Sequence, residues 1–310
     1  MRLRLAGFLF LSMLATGRAQ TDLGVVKPAR PLPAIERVLI ISIDGLRPDR
    51  LLLADTPVLH GLIKGGTYTF WARTTAVSTT LPSHTSMLTA VSPRKHKIEW
   101  NEDFPFAQPV YPFYPTIFEM AKKAGYSTAF VSGKSKFEPL TKPGTVDYAR
   151  VPEKDEDSDD NVGADAVRVI RELKPEVLFV HFPAVDRNGH KFGWGSPEQL
   201  AAIARVDGFI GGILAALGET GARDKTLVIV TADHGGQGKG HGPDDARSRH
   251  IPWIVNGPGV NPFYDLTQRA DLEVRTEDTC ATAAYVLGLS VLPQWDGKPV
   301  LDAFTLPPAP

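Results

Sequence analysis

Apolar runs that close on an acidic residue recur along this chain. The first is RVLIISIDG at 37–45, and EVLFVHFPAVD at 176–186 and TLVIVTADHG at 226–235 follow the same pattern. A continuous apolar run of this length, rich in β-branched residues, is typical of a strand buried on both faces of a parallel sheet. The shorter run STAFVSG at 127–133 predicts a fourth strand of this kind.

Segments with helical spacing of apolar residues lie between and after these runs. They cover residues 114–123, 162–173, 197–217 and 276–287. Strands that alternate with helices predict an α/β fold, here a three-layer α/β/α sandwich with a mostly parallel central sheet. Because such sheets bind ligands at the carboxyl ends of their strands, we expect Asp44, Asp186 and Asp233 to lie at one edge.

Composition narrows the class of protein. The 310 residues are 43% hydrophobic and 22% charged, which is globular, and the net charge is -1. Near-neutral charge argues against a broad surface for a nucleic-acid polymer, so an anion would have to be held by a local site. The one cysteine, Cys280, excludes an intramolecular disulfide. It lies in a segment that we interpret as an amphipathic helix, where it would be a buried structural thiol.

The first twenty residues, MRLRLAGFLFLSMLATGRAQ, have the layout of a secretory signal peptide. We predict a signal peptide at 1–19, a Pro-rich lead-in at 20–34 and a single domain at 35–310. An uncleaved anchor is the alternative, although the apolar run from Leu5 to Leu14 is short for a membrane span. Since no later run reaches the ~18 unbroken apolar residues of a transmembrane helix, we expect an exported protein, periplasmic or extracellular, without a transmembrane span after cleavage. The oligomeric state is not indicated.

Acids and histidines at the predicted strand ends suggest metal chemistry. Three carboxylates and three imidazoles are the candidate ligands: Asp44, Asp186, His190, Asp233, His234 and His241. These donors suit zinc or, less selectively, manganese. A catalytic zinc usually takes three protein ligands and keeps one position open, so six ligands fit two ions. Paired ions act on in-line displacements at phosphorus, which favours phosphoryl transfer.

The last ligand position has two candidates. His241 lies in the glycine-rich stretch TADHGGQGKGHG, next to the other ligands, whereas His250 directly precedes IPWIV, a predicted returning strand. We favour His241, because glycines free the backbone to carry one short loop past both ions.

A nucleophile is available in STTLPSH, at 78–84. This stretch predicts a turn into a helix that begins near Pro82 or Ser83, where backbone N–H groups and the helix dipole favour a phosphate. Metal coordination would lower the pKa of the Thr80 hydroxyl and make its alkoxide accessible. The alternative is that the hydroxyls of Ser78, Thr79 and Thr80 only cap the helix or its turn.

Taken in order, these motifs resemble the alkaline phosphatase superfamily, and most closely its nucleotide pyrophosphatase/phosphodiesterase branch. The resemblance is carried by IDG, TLPSH with SPRKHKIEWN, DRNGH, ADHGG, KGHG with IPWIVNGPGV, and LGLSVLPQWDGKPV. It implies an alkaline-phosphatase-like catalytic domain with two Zn²⁺ ions. One ion would be held by Asp186, His190 and His241. The other would be held by Asp44, Asp233 and His234.

The resemblance also implies roles for residues beside the metals. Thr80 would contact the second zinc and become transiently phosphorylated, and Asn101 would donate a hydrogen bond to a phosphate oxygen. His84 and His96 match recurrent positions that we interpret as supports of the loop. The position after the nucleophile, often aromatic in members that hydrolyse nucleotides, is Leu81 here, which leaves nucleotide preference open.

The implied function is a secreted two-metal phosphoric ester hydrolase of the phosphodiesterase type, acting on a small-molecule phosphate ester through a phospho-threonine. A phosphomonoesterase with the same site is the alternative, and so is a non-catalytic relative that keeps the metals. A sulfatase would require Cys or Ser at position 80 and typically Arg at 84, where this chain has Thr80 and His84.

Overall fold

The structure is a computed structural model that describes residues 25–103, 108–154, 157–242 and 244–305. The predicted signal peptide at 1–19 therefore lies outside the described residues. So does the first part of the lead-in, up to residue 24.

Eight strands form one sheet in the described part of the chain. They are β1 (Arg37–Ile43), β2 (Thr67–Arg73), β3 (Thr128–Ser132), β4 (Tyr148–Arg150), β5 (Val177–Phe182), β6 (Thr226–Thr231), β7 (His250–Asn256) and β8 (Tyr264–Asp265). Their order is β4-β3-β5-β1-β6-β7-β2-β8. The first five strands in this order are parallel, and β7 runs antiparallel to both of its neighbours. The mostly parallel sheet predicted from the sequence is confirmed.

The four predicted strands occupy adjacent central positions, β3-β5-β1-β6. Every residue of β3, β5 and β6 is buried, as continuous apolar runs predict. Ser42 of β1 pairs with His181 on one side and with Thr231 on the other. Because these three residues lie side by side, the three strands end at the same height, and the residues that follow their carboxyl ends meet at one edge of the sheet.

Ten α-helices lie in the described residues. They are α1 (Pro48–Leu53), α2 (Pro57–Lys64), α3 (Thr80–Thr89), α4 (Pro93–His96), α5 (Ile117–Lys123), α6 (Asp159–Glu172), α7 (Ala184–Phe192), α8 (Pro197–Glu219), α9 (Ala246–Arg249) and α10 (Thr276–Val286). The helices α2, α6 and α7 pack against α8, while α3 and α5 pack against α10. These two groups cover the sheet and give the predicted α/β/α layers.

All four predicted helices are present: α8 and α10 start at the predicted residues 197 and 276, whereas the starts of α5 and α6 are shifted by three residues from 114 and 162. α5 begins at Ile117, where the Thr116 hydroxyl accepts a hydrogen bond from the Glu119 N–H. α6 begins at Asp159, where the Ser158 hydroxyl accepts from the Asn161 N–H. Each cap satisfies a backbone donor that the first turn leaves open, which sets the boundary more sharply than apolar spacing does.

The amphipathic interpretation of the last helix is wrong. Of the eleven residues of α10, all but Tyr285 are buried, because their small side chains let the helix pack on both sides. Cys280 is buried, as expected for a structural thiol, and burial raises the pKa of its thiol.

One helix of the described residues, α8, is long and apolar enough to cross a membrane by length and composition alone. Its contacts are those of a helix inside a domain. The buried Asp207 carboxylate accepts hydrogen bonds from the backbone N–H groups of Val58 and Leu59, at 2.9 and 2.7 Å. These bonds tie α8 to the start of α2.

Glu277, in the first turn of α10, generates a prediction about stability and pH. Burial raises the pKa of its carboxyl to about 7. The folded state therefore binds a proton that the unfolded chain has released above its ordinary pKa, and stability falls as pH rises from 4.5 through 7. We expect Glu277→Gln to raise the unfolding free energy at pH 8 by on the order of 3 kcal/mol. The gain should vanish near pH 4.

Urea unfolding at several pH values measures this difference. Glu198→Gln is the matched control, because Glu198 also lies in the first turn of a helix but is exposed. A constant difference between wild type and Glu277→Gln across this pH range would contradict the prediction.

Candidate metal centre

The turn after β1 brings the three acids together. Asp44 follows the strand, and the Gly45 N–H donates to Oδ1 of Asp233 at 3.1 Å. Gly45 has a φ of 73°, and a Cβ at this position would lie 3.0 Å from the Cα of Asp186. Only glycine allows both this conformation and this close approach without strain. The predicted meeting of Asp44, Asp186 and Asp233 at one edge is what the structure shows.

Asp186 and His190 lie on helix α7, which begins at Ala184 directly after β5. Their spacing of four residues places both side chains on one face of the helix. His190 Nε2 lies 3.4 Å from Oδ1 of Asp186. The segment DRNGH is thus helical, and its histidine reaches the site from the solvent side, with 46% of its side chain exposed.

The glycine-rich loop after β6 carries the remaining histidines. The His234 and His241 rings stack, with centroids 3.6 Å apart, and His241 Nε2 lies 3.6 Å from Oδ1 of Asp186. His250 instead packs edge-on against Trp71 at the start of β7. Of the two candidates for the last ligand position, the structure thus brings His241 to the other donors.

Each of the three histidines donates Nδ1–H to a backbone carbonyl. The acceptors are the carbonyl oxygens of Lys239 for His190 at 2.9 Å, Gly235 for His234 at 2.8 Å and Ser78 for His241 at 2.7 Å. These bonds fix the ring orientation and leave Nε2 as the atom that faces the carboxylates. This is the arrangement in which histidine binds a metal.

Three buried carboxylate oxygens have no hydrogen-bond partner among the described residues: Asp44 Oδ1, Asp186 Oδ1 and Asp233 Oδ2. His234 Nε2 lies 3.3 Å from the first and 3.2 Å from the last. Lone pairs that face each other at such distances in a buried site are costly unless a proton or a cation lies between them. The donors present therefore fit divalent metal ions.

The donors form two overlapping groups. Potential ligand atoms lie within 4.8 Å of one another in the sets Asp186, His190, His241 and Asp44, Asp186, His234. Asp186 belongs to both groups, so its carboxylate lies between the two positions. Asp233 joins the second group through its contact with His234 Nε2.

Burial and neighbouring charges shift the pKa values of Asp233 and Asp44 in opposite directions. Burial raises the pKa of Asp233, and repulsion from Asp44 raises it further, so that it lies well above its usual value. Burial also opposes ionisation of Asp44, but Lys134 and a hydrogen bond from His181 outweigh it and hold the pKa well below the usual value. For His234, burial followed by repulsion from His241 lowers the pKa to about 3, so its ring is neutral and free to ligate.

Two buried residues of the site were not predicted from the sequence. Lys134 follows β3, and its Nζ lies 2.8 Å from Asp44 Oδ2 and 2.7 Å from Asp186 Oδ2. His181, inside β5, donates from Nε2 to Asp44 Oδ2 at 2.9 Å. Lys134 lies at the carboxyl end of a predicted strand. The criterion that selected the acids, a charged residue directly after a predicted strand, would also have selected this lysine if basic residues had been included. No sequence signal distinguishes His181 from a core residue.

Thr80 is the first residue of α3, two residues before the predicted start. Its Oγ1 lies 3.4 Å from His234 Nε2. His84, one turn later, donates Nδ1–H to the Thr80 carbonyl at 2.7 Å, and its Nε2 accepts from the Ser42 hydroxyl at 2.8 Å. Burial lowers the pKa of His84 well below its usual value. His84 thus supports the start of α3 as a neutral ring.

Asn101 closes over the start of the same helix. Its Oδ1 accepts a hydrogen bond from the Leu81 N–H at 2.9 Å, and its own carbonyl accepts from Lys136 Nζ at 2.8 Å. The Leu81 side chain is fully buried. His96 supports the far end of the segment, where its Nδ1 accepts from the Ile98 N–H at 3.0 Å and its Nε2 lies 3.0 Å from the Ser86 hydroxyl.

Comparison with known proteins identifies the family. The family described as type I phosphodiesterase / nucleotide pyrophosphatase matches residues 38–239, more than half of the chain. This span contains all the candidate site residues except His241.

Curated relatives match over parts of their length. A mouse bis(5'-adenosyl)-triphosphatase is 25% identical over 222 residues, which cover 64% of this chain and 47% of the relative. A human ectonucleotide pyrophosphatase/phosphodiesterase family member 1 is 25% identical over 64% of this chain and 23% of its own. A GPI ethanolamine phosphate transferase 1 from Chaetomium globosum is 37% identical over 36% of this chain and 14% of its own. The chain spans less than half of the length of each of these relatives.

Solved structures share the fold. Murine ectonucleotide pyrophosphatase/phosphodiesterase 5, in an inactive form with AMP bound, superposes with a TM-score of 0.71 at 16% identity and covers 87% of this chain and 100% of its own. A phosphonate monoester hydrolase from Silicibacter pomeroyi superposes with a TM-score of 0.61 at 18% identity, over 86% of this chain and 76% of its own. The family match, over more than half of the residues, establishes that the chain belongs to the type I phosphodiesterase/nucleotide pyrophosphatase family.

Proposed function

We propose that this protein is a two-metal hydrolase of small-molecule phosphoric esters, of the phosphodiesterase type, in which Thr80 is the nucleophile. The observation that carries the proposal is the position of the Thr80 hydroxyl, 3.4 Å from His234 Nε2 at the first residue of α3. There it faces a cluster of buried donors that fits divalent cations.

We assign the two metal positions as the resemblance implies. Asp186, His190 and His241 would hold one Zn²⁺, and Asp44, Asp233, His234 and Thr80 would hold the other. The fixed Nε2 atoms and the free carboxylate oxygens support these sets. Zinc suits this mixture of nitrogen and oxygen donors, and Mn²⁺ is the alternative ion. When bound, such an ion acts as a Lewis acid and lowers the pKa of a coordinated hydroxyl.

The residues around Thr80 can orient and stabilise a phosphoryl group. The first turn of α3 directs the positive end of the helix dipole toward it. Asn101 uses Oδ1 to accept from the Leu81 N–H, so its Nδ2 is the atom left to donate to a phosphate oxygen. The Thr80 oxygen would attack phosphorus in line, the P–O bond to the leaving group would break, and the alcohol would depart. Water would then cleave the phospho-threonine, which would release the phosphate product and restore the Thr80 hydroxyl.

The substrate would be a phosphodiester with a small leaving group. Relatives named as a triphosphatase of bis(5'-adenosyl) nucleotides and as nucleotide pyrophosphatases support this class. Leu81 is buried and cannot stack on a base, so a preference for nucleotides would need another surface. A phosphomonoesterase with the same site is the second candidate. The similarity to ethanolamine phosphate transferases shows that a related chain can also pass a phosphoryl-linked group to an acceptor.

We also propose that residues 35–310 form one catalytic domain that is exported through the N-terminal signal peptide. The layout of the first twenty residues supports export.

Removal of the nucleophile gives the first test. Thr80→Ala should retain zinc but lower kcat for p-nitrophenyl phosphate esters by at least about 1000-fold, because the attacking oxygen is gone. Thr80→Ser keeps a hydroxyl and should retain part of the activity. Thr89→Ala is the matched control, because this threonine lies on the same helix and its hydroxyl only binds the Thr85 carbonyl. Unchanged turnover in Thr80→Ala would refute the role of Thr80 and exclude the covalent route.

Zinc counts in paired variants test the division of ligands. Each of His190→Ala, His234→Ala and His241→Ala should lose one of two ions. The double variant His190→Ala/His241→Ala should keep one ion, since both residues serve the same position. His234→Ala/His241→Ala should keep none. His250→Ala should keep both ions. Metal analysis after dialysis measures these values, and a double variant of His234 and His241 that keeps one ion would show the assignment to be wrong.

A substrate comparison tests the reaction class. We expect kcat/KM for bis-p-nitrophenyl phosphate or the p-nitrophenyl ester of thymidine monophosphate to exceed that for p-nitrophenyl phosphate by more than about tenfold, or ~1.4 kcal/mol of transition-state binding. The reverse order would favour the monoesterase. No chelator-sensitive turnover of any of the three would favour a non-catalytic relative.

A further inference from the structure

Lys134 provides a positive charge where the two proposed metal positions meet. Its side chain is 4% exposed, and its Nζ contacts Oδ2 of Asp44 at 2.8 Å and Oδ2 of Asp186 at 2.7 Å. In the proposed assignment these two acids serve different ions. One ammonium group therefore touches a ligand of each.

The local fold explains why the lysine reaches this place. The Ser132 hydroxyl accepts from the Lys134 N–H and donates to the Lys134 carbonyl, both at 3.1 Å, which fixes the turn after β3. A Cβ on Gly133 would lie 2.5 Å from Cδ of Pro183, the residue before α7. Glycine thus lets the end of β3 close onto the start of α7, and Lys134 enters beside Asp186.

Lys134 binds one oxygen of each of the two carboxylates and does not contact the other. Asp44 Oδ2 accepts from Lys134 and from His181, and Asp186 Oδ2 accepts from Lys134. Asp44 Oδ1 and Asp186 Oδ1 have no hydrogen-bond partner among the described residues and face the histidine Nε2 atoms. The same contacts that bind the ammonium therefore direct one free oxygen of each acid toward a metal.

We propose that Lys134 is a positioning residue shared by the two metal centres, which holds Asp44 and Asp186 so that each offers a single oxygen as ligand. This inference rests on the proposed two-metal function. Without metal, the ammonium balances part of the charge of the buried Asp44 and Asp186 carboxylates. With metal, it would continue to hold Oδ2 of each carboxylate and so limit the ways in which the two acids could turn toward an ion.

Two opposite effects follow for a neutral replacement. In Lys134→Met the acids lose a competing cation, so zinc binding should tighten by about tenfold or more. Turnover should nevertheless fall by about 10–100-fold, because the ligands are no longer fixed in direction. A ligand variant such as Asp186→Asn should lose both affinity and turnover. A higher zinc affinity combined with slower turnover therefore identifies a positioning cation. Neither the loss of a ligand nor the loss of a merely structural residue would produce this combination.

The experiment compares the full-length wild type with Lys134→Met, Lys134→Arg and Lys95→Met. Competition with a chromogenic chelator measures zinc affinity and stoichiometry. Thermal unfolding measures the gain in melting temperature on adding zinc. The visible spectrum of the Co²⁺-loaded protein reports the arrangement of the ligands. Lys95→Met is the control, because Lys95 is also paired with a carboxylate, but with that of Asp296, which is not one of the candidate ligands. It should match the wild type in every measurement.

Lys134→Met should keep two ions per chain, show a larger gain in melting temperature with zinc than the wild type, and change the Co²⁺ spectrum. Lys134→Arg, which keeps the charge, should lie closer to the wild type. If Lys134→Met fails to fold without metal, it should fold in the presence of zinc, and failure to fold in both conditions would overturn the proposal. So would weaker zinc binding, or an unchanged spectrum and turnover.

The wild-type measurements separate this inference from the proposed function. If the wild type binds two ions and turns over esters through Thr80, a negative result for Lys134→Met overturns the role of Lys134 alone. If the wild type binds one ion and Lys134→Met binds two, the ammonium occupies a metal position, and both proposals fail. If the wild type binds none, the proposed function fails and the inference with it.

Discussion

Three carboxylates held together out of water are the constraint on which the rest of this structure depends. The level register of β5, β1 and β6 brings Asp44, Asp186 and Asp233 to one buried edge. Like charges at this separation repel strongly when water is excluded, so these acids remain buried together only with bound protons or nearby cations. Lys134 supplies one positive charge from within the chain. The free oxygens and the oriented imidazoles indicate where others would bind.

The periodicity of the sequence was sufficient for the four central strands and for the starts of α8 and α10, but not for the starts of α3, α5 and α6. Long apolar runs rich in β-branched residues predict buried strands, because the strands of a parallel sheet are covered on both faces. Helix α3 starts at Thr80, earlier than predicted, because a proline in the first turn lacks only an N–H that has no partner there anyway. The capping contacts that set such boundaries involve single side chains, which leave little trace in a periodic pattern.

The candidate site was predictable where chemistry and position coincide in the sequence. Acids and histidines at strand ends form a recognisable pattern, and the structure brings all of them together. Lys134 was overlooked because lysine is ordinarily an exposed residue, and only the tertiary structure shows its burial. His181 lies in the middle of an apolar strand, and its contact with Asp44 depends on which face the strand turns to the site.

The indole of Trp194 contacts three of the segments that carry the candidate ligands. Its Nε1 donates to the Gly45 carbonyl at 2.9 Å, and a Cβ on Gly189 or Gly236 would lie 2.8 or 2.3 Å from its ring. The same planar indole thus packs against the turn after β1, the helix α7 and the glycine-rich loop. The conformational entropy of gathering donors from distant parts of the chain is lost during folding rather than on ion binding. A site assembled in this way is ready to receive its ions, and slow reorganisation should not limit their capture.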